Sequence, residues 1–159
     1  AYVAPQQPDE GLENTPRQQL IRLGVSWDEN HFRAAIDRDD DRIARLFLQA
    51  GMAWKVSWTE QALANEQNKV LGLLLSYRLQ MNEPKPCRRM IAALGHALYQ
   101  GSTLTDIRKS YLQAFCRTPP VVKRQANDYA NALARARATG EKNDAKWAAI
   151  QKAIYEEIN

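Results

Sequence analysis

The sequence predicts an all-α fold of about eight helices in stacked antiparallel hairpins, on three observations. Apolar residues recur at helical spacing from Thr15 to the C-terminus, and glycine and proline punctuate the ends of the periodic stretches. No stretch alternates apolar and polar residues for long enough to make a strand. Short connections then force successive helices to lie side by side.

Residues 1–14 carry Pro5, Pro8, Gly11 and five Gln or acidic side chains without periodicity, the pattern of a flexible tail or linker. Thr15-Pro16 is an N-cap followed by proline at the first helical position, and Gly24 stops that helix. A second helix starts near Asp28 with Phe32, Ala35 and Ile36. A third starts near Asp39 with Ile43, Leu46, Phe47 and Ala50, capped by Gly51. Ser57 and Glu60 have capping-box spacing, and Leu63, Val70, Leu74 and Leu75 carry one helix to about Leu79, before Pro84 and Pro86. A helix from about Cys87 to Gln100 presents Met90, Ile91, Leu94 and Leu98 and closes at Gly101. Thr103 with Asp106 caps the next, through Ile107, Tyr111, Leu112 and Phe115. Thr118-Pro119-Pro120 opens a helix with Val122, Ala126, Tyr129 and Leu133 on one stripe, ending at Gly140. The last starts near Asn143 with Trp147, Ile150, Ile154 and Ile158. Residues 15–159 then form a single all-helical domain, with repeat-like hairpins over 15–82 and a bundle over 83–159.

Sliding the chain along itself by one constant offset superposes Leu20, Phe47 and Leu74; Gly24 and Gly51; Trp27 and Trp54; and Ala35 and Ala62. The unit between Trp27 and Trp54 holds the small pair Ala34-Ala35, the acidic turn Asp39-Asp40-Asp41, an aliphatic run from Ile43 to Leu48 and the cap Gly51. Over about residues 17–80 the chain resembles a degenerate ankyrin repeat, with a shorter period and no Thr-Pro-Leu-His signature. The resemblance implies stacked hairpins and protein binding. An ordinary helical bundle whose hairpins share a length is the alternative.

The 159 residues suit one domain, and 45% apolar with 25% charged residues excludes collagen-like, low-complexity and wholly disordered classes. The longest apolar run, Val70 to Leu75, is far short of the roughly 20 residues of a membrane span. No transmembrane segment is expected. The chain starts at Ala1 without Met, read as a processed or trimmed start. That reading favours a periplasmic or secreted protein of bacterial style, the cytoplasm being the alternative.

The net charge of +4 is unevenly spread. Residues 1–77 hold 8 basic and 11 acidic side chains, 78–124 hold 9 and 2, and 125–159 hold 5 and 5. Arg88, Arg89, Arg108, Lys109, Arg117, Lys123 and Arg124 fall on three successive helices. Antiparallel packing brings Arg88-Arg89 beside Arg117 and Lys123-Arg124, a basic pole suited to an acidic protein surface. The same folding sets Cys87 level with Cys116, because the stretch from Cys87 to Gly101 and that from Thr103 to Cys116 are nearly equal in length. A disulfide is feasible there, two buried free thiols being the alternative.

Catalytic and cofactor signatures are lacking. His31 and His96 are isolated from each other, and no phosphate-binding glycine motif occurs. Asp37, Asp39, Asp40 and Asp41 lack the calcium-loop pattern and suit a helix start. The two cysteines are too few for a zinc cluster, so neither metal nor cofactor is expected. Trp27, Trp54, Trp58 and Trp147 read as packing residues. The expectation is a non-enzymatic interaction module. Its rivals are a small helical enzyme acting on a polymer through Glu60, Glu66 or His96, or through Cys87 or Cys116 paired with His96, and a nucleic-acid accessory protein. Nucleic acid is the weaker partner, because no base-reading motif accompanies the basic residues.

Overall fold

A computed structural model describes residues 14–77 and 84–159. Among them the chain forms nine helices and no strand: α1 (Pro16–Arg22), α2 (Glu29–Asp37), α3 (Asp41–Gln49), α4 (Val56–Ala64), α5 (Asn68–Tyr77), α6 (Pro84–Tyr99), α7 (Asp106–Phe115), α8 (Pro119–Thr139) and α9 (Lys142–Ile158). The all-α expectation holds. Residues 1–13 of the expected tail and Leu79 lie outside the described residues. Among the described residues no helix is long and apolar enough to cross a membrane.

The ninth helix arises where the sequence predicts one helix from Ser57 to Leu79. Glu66 adopts φ 56 and the Gln67 amide donates to the Ala62 carbonyl at 2.9 Å, which ends α4 and starts α5 anew. A non-glycine residue in the left-handed region makes this break, so neither glycine nor proline marks it. Two start signals also shift. α4 begins at Val56, ahead of the capping box expected at Ser57, and α7 is capped by Thr105 Oγ1, which accepts from the Arg108 amide at 3.4 Å.

The repeat spacing is visible in the turns. Asp39 (φ 57) repeats the geometry of Glu66, and the Asp40 amide donates to Ala35 as that of Gln67 does to Ala62. Likewise the Val25 amide donates to Leu20 past Gly24, and the Met52 amide to Phe47 past Gly51. Both glycines have positive φ, 72 and 97, so each completes a left-handed cap that a side chain at Cβ would strain.

The described residues divide into two compact units, one up to Lys55 and one from Val56 to Asn159. In the first, α3 packs against both α1 and α2, over a core of Leu20, Phe32, Ile36 and Phe47. Phe32 stacks on Phe47 at 4.9 Å, and Trp27 also stacks on Phe47, at 5.6 Å.

In the second unit, helices two apart in sequence stack in turn: α4 on α6, α5 on α7, α6 on α8 and α7 on α9. α4/α5 and α8/α9 pack as hairpins. Leu63, Leu71, Leu74, Met90, Leu94 and Leu112 are buried between the layers. The α8 core face is rotated from the expected stripe: Val121, Gln125 and Ala132 are buried, while Val122, Ala126, Tyr129 and Leu133 are half-buried.

A polar clasp joins two hairpin tips. The Arg108 side chain, fully buried, donates to the Ala64 carbonyl at 3.2 Å, Ser102 Oγ at 2.8 Å and the Thr103 carbonyl, and pairs with Glu66 at 3.3 Å. Burial pushes its guanidinium pKa down, and Glu66 partly restores it. Glu66 also accepts from Ser102 Oγ at 3.1 Å and from the Thr103 amide at 3.3 Å.

Candidate functional site

Cys87, near the start of α6, is bonded to Cys116 at the end of α7, with Cα atoms 5.8 Å apart. The bridge fixes the end of α6 that carries Arg88, the exposed residue next along. α8 starts on Pro119-Pro120 and runs to Gly140, whose φ of 66 closes it. Along α8, Arg124, Asp128, Asn131 and Arg135 follow at i, i+4, i+7 and i+11, the spacing of one helix face. α9 brings Trp147 and Gln151, one turn apart.

Between α6, α8 and α9 these residues line a groove of about 440 Å³. Ile91, Ala92, Val121 and Ala132 give it an apolar floor. Three guanidinium groups, of Arg88, Arg124 and Arg135, face it against the single carboxylate of Asp128. Arg124 Nε lies 3.3 Å from Asp128 Oδ1, and Arg135 Nε lies 3.2 Å from Asp144 Oδ1. Among the described residues no ion pair involves Arg88. Exposed pairs of this kind hold their partners weakly, so an incoming anion can compete for them. The Asp144 carboxyl is held below its ordinary value of 3.8 by the Thr139 hydroxyl and then by Arg135.

Deeper in the groove, Gln125 Nε2 donates to the Gln151 carbonyl at 3.1 Å and to Gln151 Oε1 at 2.8 Å, both residues being buried. The Trp147 ring, 37% exposed, leans edge-on against Tyr99 at 6.0 Å. Trp147 therefore packs between α9 and α6 and also lines the groove.

Of the seven basic residues singled out, five of them expected to converge at one pole, Arg88 and Arg124 line this groove. Arg89 pairs instead with Glu60 on α4. Arg117 is exposed in the α7–α8 turn, Lys123 is exposed on α8 outside the groove lining, and Lys109 is half-buried on α7. Arg108 is a correction: its side chain has no solvent exposure and serves the clasp, because two orphan carbonyls and a carboxylate surround it. Arg135, Gln125 and Gln151 join the groove without being expected from the sequence. The repeat of polar residues at i, i+4, i+7 and i+11 from Arg124 is a signal for Arg135; the glutamines carry none.

The residues weighed for catalysis are dispersed. Glu60 and Glu66 are engaged by Arg89 and Arg108, and His96 is exposed on α6. His31 Nδ1 sits 2.7 Å from the Asp28 carboxylate, which caps α2 by accepting from the His31 amide. That side-chain bond holds the Asp28 carboxyl below its ordinary value of 3.8. Asp40 caps α3 by accepting from the Ile43 amide at 3.1 Å. Among the described residues no group of three or more His, Cys, Asp and Glu side chains could hold a metal ion.

No curated protein and no solved structure matches the chain. Residues 14–159 match the model of one family, so the chain belongs to the family described as Domain of unknown function (DUF8607).

Proposed function

We propose that this protein is a non-enzymatic interaction module whose groove between α6, α8 and α9 holds an acidic part of a partner protein. The observation that carries the reading is that Arg88, Arg124 and Arg135 line one groove over an apolar floor, with the Asp128 carboxylate in the lining and that of Asp144 beside Arg135. Cations at the rim steer an acidic surface in, and the floor with Trp147 supplies area to desolvate, the two ingredients of a protein interface.

The kinship of residues 17–80 to ankyrin-type hairpins belongs to the same reading, and the caps that recur in register past Gly24 and Gly51 support it. The Cys87–Cys116 bridge supports a periplasmic or secreted setting, since such bonds persist where thiols are oxidised.

The test is capture of partners by the wild-type protein and by the Arg88→Glu/Arg124→Glu variant. Loss of the captured set, with the far-UV helical signal retained, is the expected result. Undiminished capture removes the groove from the account. Capture of nucleic acid with a steep salt slope favours an accessory protein of that kind.

A further inference from the structure

We infer that the groove reads a short extended peptide segment, with a carboxylate at each end and one of its backbone amides held by Gln125 and Gln151. The inference rests on the proposed function above and names the form in which the acidic partner is bound.

Three observations carry it. First, Gln125 uses its amide group on Gln151, which leaves Gln125 Oε1 and Gln151 Nε2 without a partner among the described residues. Both side chains are more than nine-tenths buried and both line the groove. A ligand that covers them must bond them, since a polar atom sealed from water without a partner is costly. A peptide group presents one N–H and one C=O and matches this acceptor beside a donor. A phosphodiester backbone presents acceptors only, and would leave Gln125 Oε1 facing another acceptor.

Second, the cations are spread along the groove. From Arg124 to Arg135 α8 rises about 16 Å, at about 1.5 Å per residue. A strand advancing about 3.3 Å per residue covers that with about five residues. A carboxylate near Arg88 and Arg124 and a second near Arg135 then bracket the amide pair.

Third, the space between is apolar and open. Gly95 on α6 has no side chain, and a Cβ there would lie 3.4 Å from Trp147 Cη2 and 3.6 Å from Gln151 Nε2. The bare backbone lets α9 seat Trp147 and Gln151 close against α6. Trp147, Ile91 and Ala132 then meet the central side chains of the segment.

The experiment is calorimetric titration of the intact, oxidised protein with the blocked peptide Ac-Glu-Leu-Ala-Leu-Glu-amide. Companion titrations use the same peptide with lysine at both ends, four analogues in which each internal amide in turn is an ester, and a thymidine oligonucleotide of matching length. The Glu-ended peptide is expected to bind and the Lys-ended one not to. One ester position is expected to weaken binding about tenfold, the worth of a single buried hydrogen bond. In Gln125→Leu, which removes the Oε1 that accepts the segment's N–H, that ester penalty should vanish. Equal binding of all four esters, binding of the oligonucleotide as tight as the peptide's, or no peptide binding at millimolar concentration overturns the inference. The ester series runs on the native protein, so it decides even if Gln125→Leu fails to fold. These failures leave the proposed function standing if Arg88→Glu/Arg124→Glu still abolishes capture; capture that survives charge reversal sinks both.

Discussion

Replacing Arg108 by lysine swaps a planar fork for a single ammonium, which cannot reach the Ala64 and Thr103 carbonyls and Glu66 together. Arg108→Lys is expected to lower unfolding free energy by about 3 kcal/mol, the scale for breaking a buried, hydrogen-bonded charge, read from the urea midpoint. Gly72 makes the opposite case. It lies within α5, and a Cβ there would meet only Ile107 Cδ1, at 3.8 Å, an ordinary contact. Gly72→Ala should stabilise by about 0.5–1 kcal/mol through reduced chain entropy, seen in the same urea assay. Two carboxyls give the acid limb. Asp28 and Asp144 are both depressed in the folded state, so their contribution is present above the ordinary value of 3.8 and is lost as pH falls through their folded values. Stability measured down an acid series should fall below pH 3.8, and less steeply in Asp28→Asn/Asp144→Asn. The burial of Arg108 was not legible beforehand, because an arginine early in a helix looks the same whether it faces water or two orphan carbonyls.

Caps and periodicity announced most of the elements. Thr15 accepts from the Gln18 amide at 3.1 Å where Thr15-Pro16 predicted a start, and Gly24, Gly51, Gly101 and Gly140 all take positive φ where stops were expected. The turn at Glu66 escaped, since the apolar pattern from Leu63 to Val70 reads through it. Its counterpart Asp39, one repeat earlier, held the clue. The disulfide is the element-scale link best tested directly. Closing a loop with a sequence separation of 29, it should contribute about 3–4 kcal/mol on the chain-entropy account. Cys87→Ser/Cys116→Ser, or the reduced wild type, should lose that amount in denaturant melts. It should also loosen the start of α6, so amide exchange there should quicken first.

Over the whole molecule, the uneven charge map makes a prediction of its own. With nine basic and two acidic side chains in 78–124, capture of an acidic partner should weaken steeply as salt shortens the Debye length from about 10 Å at 0.1 M to about 3 Å at 1 M. In Arg88→Glu/Arg124→Glu the residual binding should show little salt dependence, and a slope as steep as the wild type's would assign the effect to cations elsewhere. The site was only half legible at this scale. Antiparallel packing sufficed to bring Arg88 to Arg124, because the order of short-looped helices sets which ends are neighbours. It could not say that Arg89, one residue on and about 100° around the helix, turns to Glu60 instead.

Helix identity, most boundaries and the reach of Cys87 to Cys116 were determined by the sequence alone, because each follows from local periodicity, capping chemistry and the length of the connections. The tertiary structure decided which cations face a groove and which are buried. It also decided that Trp147 is open to solvent, and that two glutamines meet beside an apolar floor. Those outcomes depend on the rotation of each helix about its own axis, and that rotation is set by packing against helices distant in the chain.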